Sequence, residues 1–363
     1  MRIGLVYLGR RGPGGPITLL LAKHLSRHGE IFCAVSENSD HVQEWKKSPF
    51  PVIIVPTFRT KTAAFLSYFT SVRITDLARR IRERTPDVII YPMVHPWTPR
   101  LQRGLRDIPD VVVVHDPLPH PGLLHRMSGL WEIRAARRAS RCVVLGQMFV
   151  EVLTKQGIAK DRIDVIPHGV FVQYAGFKNP AIKPEATNTI LFFGRITEYK
   201  GIDVLLKAFQ RLVRERSDVR LQIVGDGNLR PYEALLKSTT NVTVVNRWID
   251  ESEVAKYLLN ASMLALPYTS ASQSGVIAAA AALATPVIAT RVGAIPEQIV
   301  DKKTGVLIDP GSVDQLFDAM KLLLDEPRFA SELGRNLAQR TNETANWDLI
   351  AASFIDTCNK AVS

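Results

Sequence analysis

The chain has 363 residues, 46% of them apolar, and carries 46 Lys and Arg against 35 Asp and Glu for a net charge of +11. That length favours two domains with ample core, and that apolar share excludes a disordered chain. The positive excess calls for an anionic partner or surface, with nucleic acid, anionic lipid and a phosphorylated substrate as candidates.

The first apolar run, 3–8, has the length of a strand and leads into a loop holding Gly12, Gly14 and Gly15, a pattern unlike a secretory signal peptide. Glycines after a first strand let backbone amides approach a ligand. Their spacing departs from Gly-x-Gly-x-x-Gly, which speaks against a dehydrogenase. Further strand-like runs fall at 31–35, 52–55, 88–91, 111–114, 142–145 and 164–166, with helix-like stretches between many of them. Such alternation predicts a mostly parallel sheet covered on both faces.

Phe65, Phe69, Val72, Leu77 and Ile81 recur at helical spacing among Arg73, Arg79, Arg80, Arg82 and Arg84, and more arginines follow at 126, 134, 137, 138 and 141. A basic amphipathic helix of this kind either lies on an anionic membrane or packs one face on its own core. No nucleic-acid-binding module and no aromatic-basic alternation is present, so nucleic acid is set aside. No run approaches the roughly 18–20 apolar residues that span a bilayer. Cys33, Cys142 and Cys358 are scattered. They argue against a disulfide framework or a zinc site and fit a reducing cytoplasm.

His95 follows the run 88–91 and is either a ligand contact or a structural loop residue. His115 and Asp116 end the run 111–114, at the carboxyl edge of the predicted sheet, before prolines at 117, 119 and 121 that stiffen the loop. A histidine there can manage a proton near neutral pH. Pro180 and Pro184 resist helix and strand alike. They predict a linker at 173–185 between a first domain at 1–172 and a second at 186–344.

The strand series restarts at Thr189 and reaches Gly194, after which Arg195 and Lys200 stand before a helix pattern at 204–213. A strand's carboxyl end beside a helix start is where anions bind in open α/β sheets, and two cations five residues apart suit a diphosphate. A second strand and glycine turn follow at Gly225-Asp226-Gly227. Then come Arg247-Trp248-Ile249, Pro267-Tyr268, Ser272-Gln273-Ser274-Gly275-Val276, Thr285-Pro286, Pro296-Glu297 and the segment 304–310.

In this order and spacing, residues 189–310 resemble the C-terminal domain of family 4 glycosyltransferases. The resemblance implies an α/β chain of the GT-B fold, with two facing Rossmann-like domains and a C-terminal helix, 345–363, crossing back to the N-terminal one. It implies transfer of a sugar, with retention, from a nucleoside diphosphate sugar to a saccharide or lipid-linked acceptor in cell-envelope or exopolysaccharide biosynthesis. The place would be the cytoplasm or the inner face of the membrane. Arg195 and Lys200 would stabilise the departing diphosphate, and His115 would act beside the sugar. Gly14 and Gly15 would close over the donor, Gly225 would admit the nucleotide, and Arg247, Trp248 and Ile249 would lie against the base. Ser272 and Gln273 would hold the sugar, and the amides of Ser274, Gly275 and Val276 the phosphate. Glu297 contacts nucleotide or simply starts a helix. Asp116 and His95 are the acceptor candidates. No Asp-x-Asp motif is present, so neither a metal nor another cofactor is expected.

One segment departs from the family, which has Glu, seven residues, Glu where this chain has Ala271 and Ala279, with no acid between Ser270 and Ala284. Some bacterial surface-polysaccharide transferases of the family share an Ala-Ser-Gln-Ser-Gly-like segment. The missing acids motivate one alternative to a transferase, a non-catalytic nucleotide-binding scaffold; a sugar-nucleotide epimerase is another, and the order of the family 4 motifs speaks against it.

Overall fold

The structure, a computed structural model, describes residues 1–12, 14–58, 72–117, 123–171, 174 and 188–363, with side chains of 123–128 left out. The chain divides into two compact units, Met1–Gly169 with Trp347–Ser363, and Val170–Asn346.

The first unit is built on a parallel sheet of seven strands: β1 (Arg2–Tyr7), β2 (Glu30–Ser36), β3 (Val52–Val55), β4 (Val88–Tyr91), β5 (Asp110–Val114), β6 (Arg141–Val144) and β7 (Ile163–Val165), ordered β3-β2-β1-β4-β5-β6-β7. Its central strands are runs of Val, Ile and Leu buried on both faces, the pattern a helix-covered parallel sheet requires. Strand order reverses between β1 and β4, and ligands of such sheets bind outside the carboxyl ends at that point. Gly14 and Gly15 follow β1, His95 follows β4, and His115 follows β5.

The second unit repeats the scheme with six parallel strands: β8 (Thr189–Phe193), β9 (Arg220–Val224), β10 (Val242–Val245), β11 (Met263–Leu266), β12 (Val287–Thr290) and β13 (Val306–Ile308), ordered β10-β9-β8-β11-β12-β13. Here the reversal falls between β8 and β11, so the segments after Phe193 and Leu266 flank the switch point. The alanine-rich helix Gly275–Leu283 is buried along Ala278–Ala282, where methyl side chains let it pack closely on the long helix Pro327–Ala345. Each unit is a Rossmann-like α/β domain.

The boundaries differ from the expected ones by a few residues. Val170 already belongs to the second unit, its amide donating to Ala345 O at 3.3 Å, and the Tyr174 hydroxyl bonds the Glu251 carboxylate. Apart from Tyr174, the expected linker 173–185 lies outside the described residues. The last helix begins at Trp347 rather than 345, because Asn346 leaves helical geometry at ψ 157°. It packs on the first unit, against the helix Gly14–Leu25 and strands β4, β5 and β6.

Of the basic amphipathic stretch, Val72–Arg82 is described and helical, with Ile74, Leu77, Ala78 and Ile81 buried, so this part packs its apolar face on its own core. Phe65 and Phe69 lie outside the described residues. Among the described residues no helix is long and apolar enough to cross a membrane.

Candidate active site

In the second unit the chain continues the β8–β9 ladder beyond both strands. Gly194 N donates to Val224 O at 3.0 Å and Ile196 N to Asp226 O at 2.8 Å. The close approach needs glycine at 225, where φ is +146° and a Cβ would stand 1.9 Å from Gly194 O. Asn246 fixes the same turn with its amide, Oδ1 accepting from Gly227 N at 3.0 Å and Nδ2 donating to Gly227 O at 3.1 Å.

Arg195 is exposed and bonds no described residue. Lys200 is partly buried, its Nζ 3.5 Å above the centroid of the Tyr268 ring. A cation over an aromatic face is attracted by the ring quadrupole, by about 2 kcal/mol when desolvated. Tyr268 is fully buried, and burial pushes its hydroxyl well above the ordinary range, so it stays a neutral donor.

The carboxyl end of β11 holds an unusual concentration of orphaned polar atoms. The Tyr268 hydroxyl, Ser272 Oγ, Gln273 Oε1 and Ser274 Oγ are buried without a hydrogen-bond partner, as is Thr197 Oγ1 after β8. The Tyr268 hydroxyl and Ser274 Oγ lie close together, yet neither makes a bond of good geometry. Buried polar atoms are ordinarily paired, and each left bare costs about 1–3 kcal/mol. Their clustering at a switch point marks a place built for a polar ligand.

Ser274 caps the helix Gly275–Leu283 without using its side chain. Its amide is not open to a phosphate as expected, because it donates to Gln298 Oε1 at 3.0 Å. Gly275 and Val276 remain half-exposed at the helix start, where the first amides have no intrahelical partner. Ala271 and Ala279, at the positions of the family's acids, are both buried.

Arg247 turns inward to its own loop, pairing with Glu253 at 2.8 and 2.6 Å and donating to Trp248 O at 3.1 Å. Its guanidinium therefore shapes the turn. Trp248 is left 42% exposed, an open stacking face, while Ile249 is buried. Glu297 is exposed on the short helix Ile295–Gln298.

In the first unit, His115 Nε2 donates to Pro92 O at 2.8 Å, which leaves Nδ1 as the acceptor of the neutral ring. Glu132 accepts the amide of Asp116 at 3.0 Å and that of His115 as well. Burial pushes its carboxyl up to about 7, with the Asp116 charge adding and the two amides opposing. His168 lies near His115 and is held down at about 4, by burial first and by His115 least. Its Nδ1 donates to Gly169 O at 2.9 Å.

Burial holds His95 down at about 3. Its ring stacks on Phe58, its Nδ1 accepts from Trp97 N at 3.2 Å, and its Nε2 has no partner. Asp116 opens one end of a groove of about 900 Å³ lined by Leu130, Trp131, Arg134 and Arg137. Gly14 and Gly15 start the helix Gly14–Leu25, and a Cβ on either would meet the Tyr7 ring or the His41 ring at 2.9 Å. Close packing inside this unit thus already requires both glycines. Among the described residues no group of three His, Cys, Asp or Glu could hold a metal ion.

Glu132, His168, Asn246, Tyr268 and Gln298 were not among the residues expected from the sequence. Glu132, Asn246, Tyr268 and Gln298 each reach a partner in another element, whereas His168 bonds the adjacent Gly169; Tyr268 fell in Pro267-Tyr268, a segment the motifs flagged.

Residues 14–174 match the family model described as Glycosyltransferase Family 4, and residues 187–326 the one described as Glycosyl transferases group 1. The chain is 33% identical over 229 residues to a D-inositol 3-phosphate glycosyltransferase of Pseudarthrobacter chlorophenolicus, covering 58% of this chain and 53% of that protein. Over 283 residues it is 27% identical to the MMP alpha-(1->4)-mannosyltransferase of Mycolicibacterium hassiacum, covering 72% of this chain and 68% of that one. The chain spans about half the length of the D-inositol 3-phosphate glycosyltransferases it first matches. Anabaena HepE, solved with UDP and glucose, shares the fold with a TM-score of 0.76 at 15% identity, over 98% of this chain and 99% of that one.

The class this defines is the GT-B glycosyltransferase architecture of two Rossmann-like domains. Within that class the chain carries a family 4 domain followed by a group 1 domain.

Proposed function

We propose that this protein is a glycosyltransferase that moves a sugar, with retention, from a nucleoside diphosphate sugar to a saccharide or lipid-linked acceptor in cell-envelope or exopolysaccharide biosynthesis. The observation that carries the reading is the group of orphaned hydroxyl and amide atoms at 268 and 272–274, beside a helix start and the Lys200 ammonium. Lys200, Arg195 and the first amides of the helix Gly275–Leu283 would stabilise charge on the departing diphosphate, commonly the largest catalytic effect where charge develops. Ser272 and Gln273 would hold the sugar, Trp248 would stack on the base, and the turn at Gly225 would admit the nucleotide. In this reading Arg247 holds the loop and does not meet the base.

His115, with Nδ1 as its free acceptor, would take a proton or a hydroxyl contact at the reacting sugar. Asp116 and the basic groove beside it would receive the acceptor, which the arginine-rich first unit would meet at an anionic membrane surface on the cytoplasmic side. The cations serve where a divalent metal would otherwise, so none is required. HepE, bound to UDP and glucose, supports a nucleotide-sugar donor.

The test is incubation with UDP-, GDP- and ADP-sugars, with and without membrane extract. Diphosphate release that requires extract is the expected outcome. Conversion of the donor into an isomer would mark an epimerase. Binding without any turnover would mark the scaffold reading, which the buried alanines at 271 and 279 favour.

A further inference from the structure

The two halves of the anion site in the second unit come from segments far apart in sequence, the turn at Lys200 and the helix start at Gly275. Two side chains, Gln298 and Tyr268, join them. Gln298 is a two-point clamp on Ser274, its Oε1 accepting from the Ser274 amide at 3.0 Å and its Nε2 donating to the Ser274 carbonyl at 3.1 Å. The same segment grips the loop twice more. Ala294 N donates to Ser272 O at 2.8 Å. Gly293, at φ +52°, comes so near that a Cβ would stand 1.8 Å from Ala271 O.

Tyr268 reaches both halves. Its ring carries the Lys200 ammonium at 3.5 Å, and its hydroxyl lies beside Ser274. The backbone that carries the ring is itself held, since Thr290 Oγ1 donates to Tyr268 O at 2.6 Å and the next amide, Thr269 N, donates to Tyr199 O at 2.8 Å.

We infer that Gln298 and Tyr268 are positioning residues that hold the Lys200 ammonium and the start of the helix Gly275–Leu283 in register as one preformed site for a diphosphate. Gln298 sets the residue that begins the helix, and Tyr268 sets the distance from that residue to the cation. Preformation of this kind raises affinity by removing the cost of ordering the groups on binding. The inference rests on the reading above, that this site takes the donor's diphosphate.

The experiment compares Kd values of the folded wild type and of Gln298→Leu, Tyr268→Leu and Tyr268→Phe. The ligands are UDP, GDP, ADP and the corresponding free nucleosides, and each variant's thermal unfolding midpoint is recorded. We expect Gln298→Leu and Tyr268→Leu to weaken the preferred diphosphate about tenfold while its nucleoside changes less than about twofold. Tyr268→Phe keeps the ring and should lose about threefold or less. A merely structural role would lower nucleoside and diphosphate affinity together, and that result overturns the inference. So does unchanged diphosphate affinity in a Gln298→Leu variant whose unfolding midpoint shows it folded. A wild type that binds none of the three diphosphates would overturn the underlying reading and this inference with it. Wild-type binding with unaltered variants overturns the inference alone.

Discussion

The two units share a fold and divide the chemistry. All eight histidines of the chain fall within its first 168 residues, in the first unit, and the second has none. The first unit carries His95 and His115 after its strands, with Glu132 and His168 beside His115, all groups that can titrate. The second unit's switch point gathers an exposed Arg195, the Lys200 ammonium, a helix start and bare hydroxyls, groups suited to an anion. One fold thus supports either task, and the segments after the strands decide which.

The sharpest way to break this division is to remove the second unit's charge. Lys200→Ala should lower the rate of diphosphate release about 100-fold or more, the scale of losing one preorganised electrostatic group. Arg195→Ala, at an exposed position without a partner among the described residues, should lower it about tenfold. Unchanged rates in both would remove the phosphate assignment. On the other side, His115→Ala should lower kcat about 100-fold, as loss of a general acid or base does, and leave the donor's KM within about twofold. A rise in KM with kcat preserved would move His115 from chemistry to donor binding and blur the contrast.

What the sequence disclosed followed the same line. The strands were legible because a parallel sheet buried on both faces demands unbroken runs such as Val111–Val114, and no surface position competes there. Arg195 and Lys200 were legible because they lie within a few residues of the strand that places them. Gln298 was not, because its partner is 24 residues away and joined through backbone atoms that carry no residue signature. Glu132 escaped for the same reason, its carboxylate capping amides 16 residues earlier in the chain. Arg247 is a different case. A motif placed it at the base, and Glu253, six residues on, takes its guanidinium.

The division also predicts unequal acid sensitivity. His95 and His168 have folded values of about 3 and 4 against 6.5 in a free chain, so the unfolded state binds the extra protons below pH 6.5. Their stabilising contribution is complete above that pH and is lost as pH falls towards 4. Between pH 7 and 5 the loss is about 2 kcal/mol for each histidine. Glu132 runs the other way, with a folded value of about 7 against 4.5, so its contribution is complete below pH 4.5 and is lost as pH rises through 7. Over the same interval it offsets about one histidine. Denaturant unfolding of the first unit should therefore lose about 2 kcal/mol between pH 7 and 5 in the wild type and close to nothing in His168→Gln. Tryptophan fluorescence reads this directly, because Trp45, Trp97, Trp131 and Trp347 belong to the first unit and Trp248 alone to the second. An equal pH response in the variant would place the sensitivity elsewhere.

The smallest expected effect is that of a chelator. A divalent metal in diphosphate chemistry supplies positive charge to the leaving group. In the second unit the Lys200 ammonium, the Arg195 guanidinium and the positive end of the helix Gly275–Leu283 offer that charge from the protein itself. No acidic side chain stands between Ser270 and Ala284 to compete for a cation. Excess EDTA should therefore change the rate of diphosphate release by less than about twofold. A loss of tenfold or more, restored by magnesium or manganese, would mean that the two cations do not carry the charge alone. It would also lower the effect expected of Lys200→Ala, so the chelator and the substitution should be measured on the same preparation.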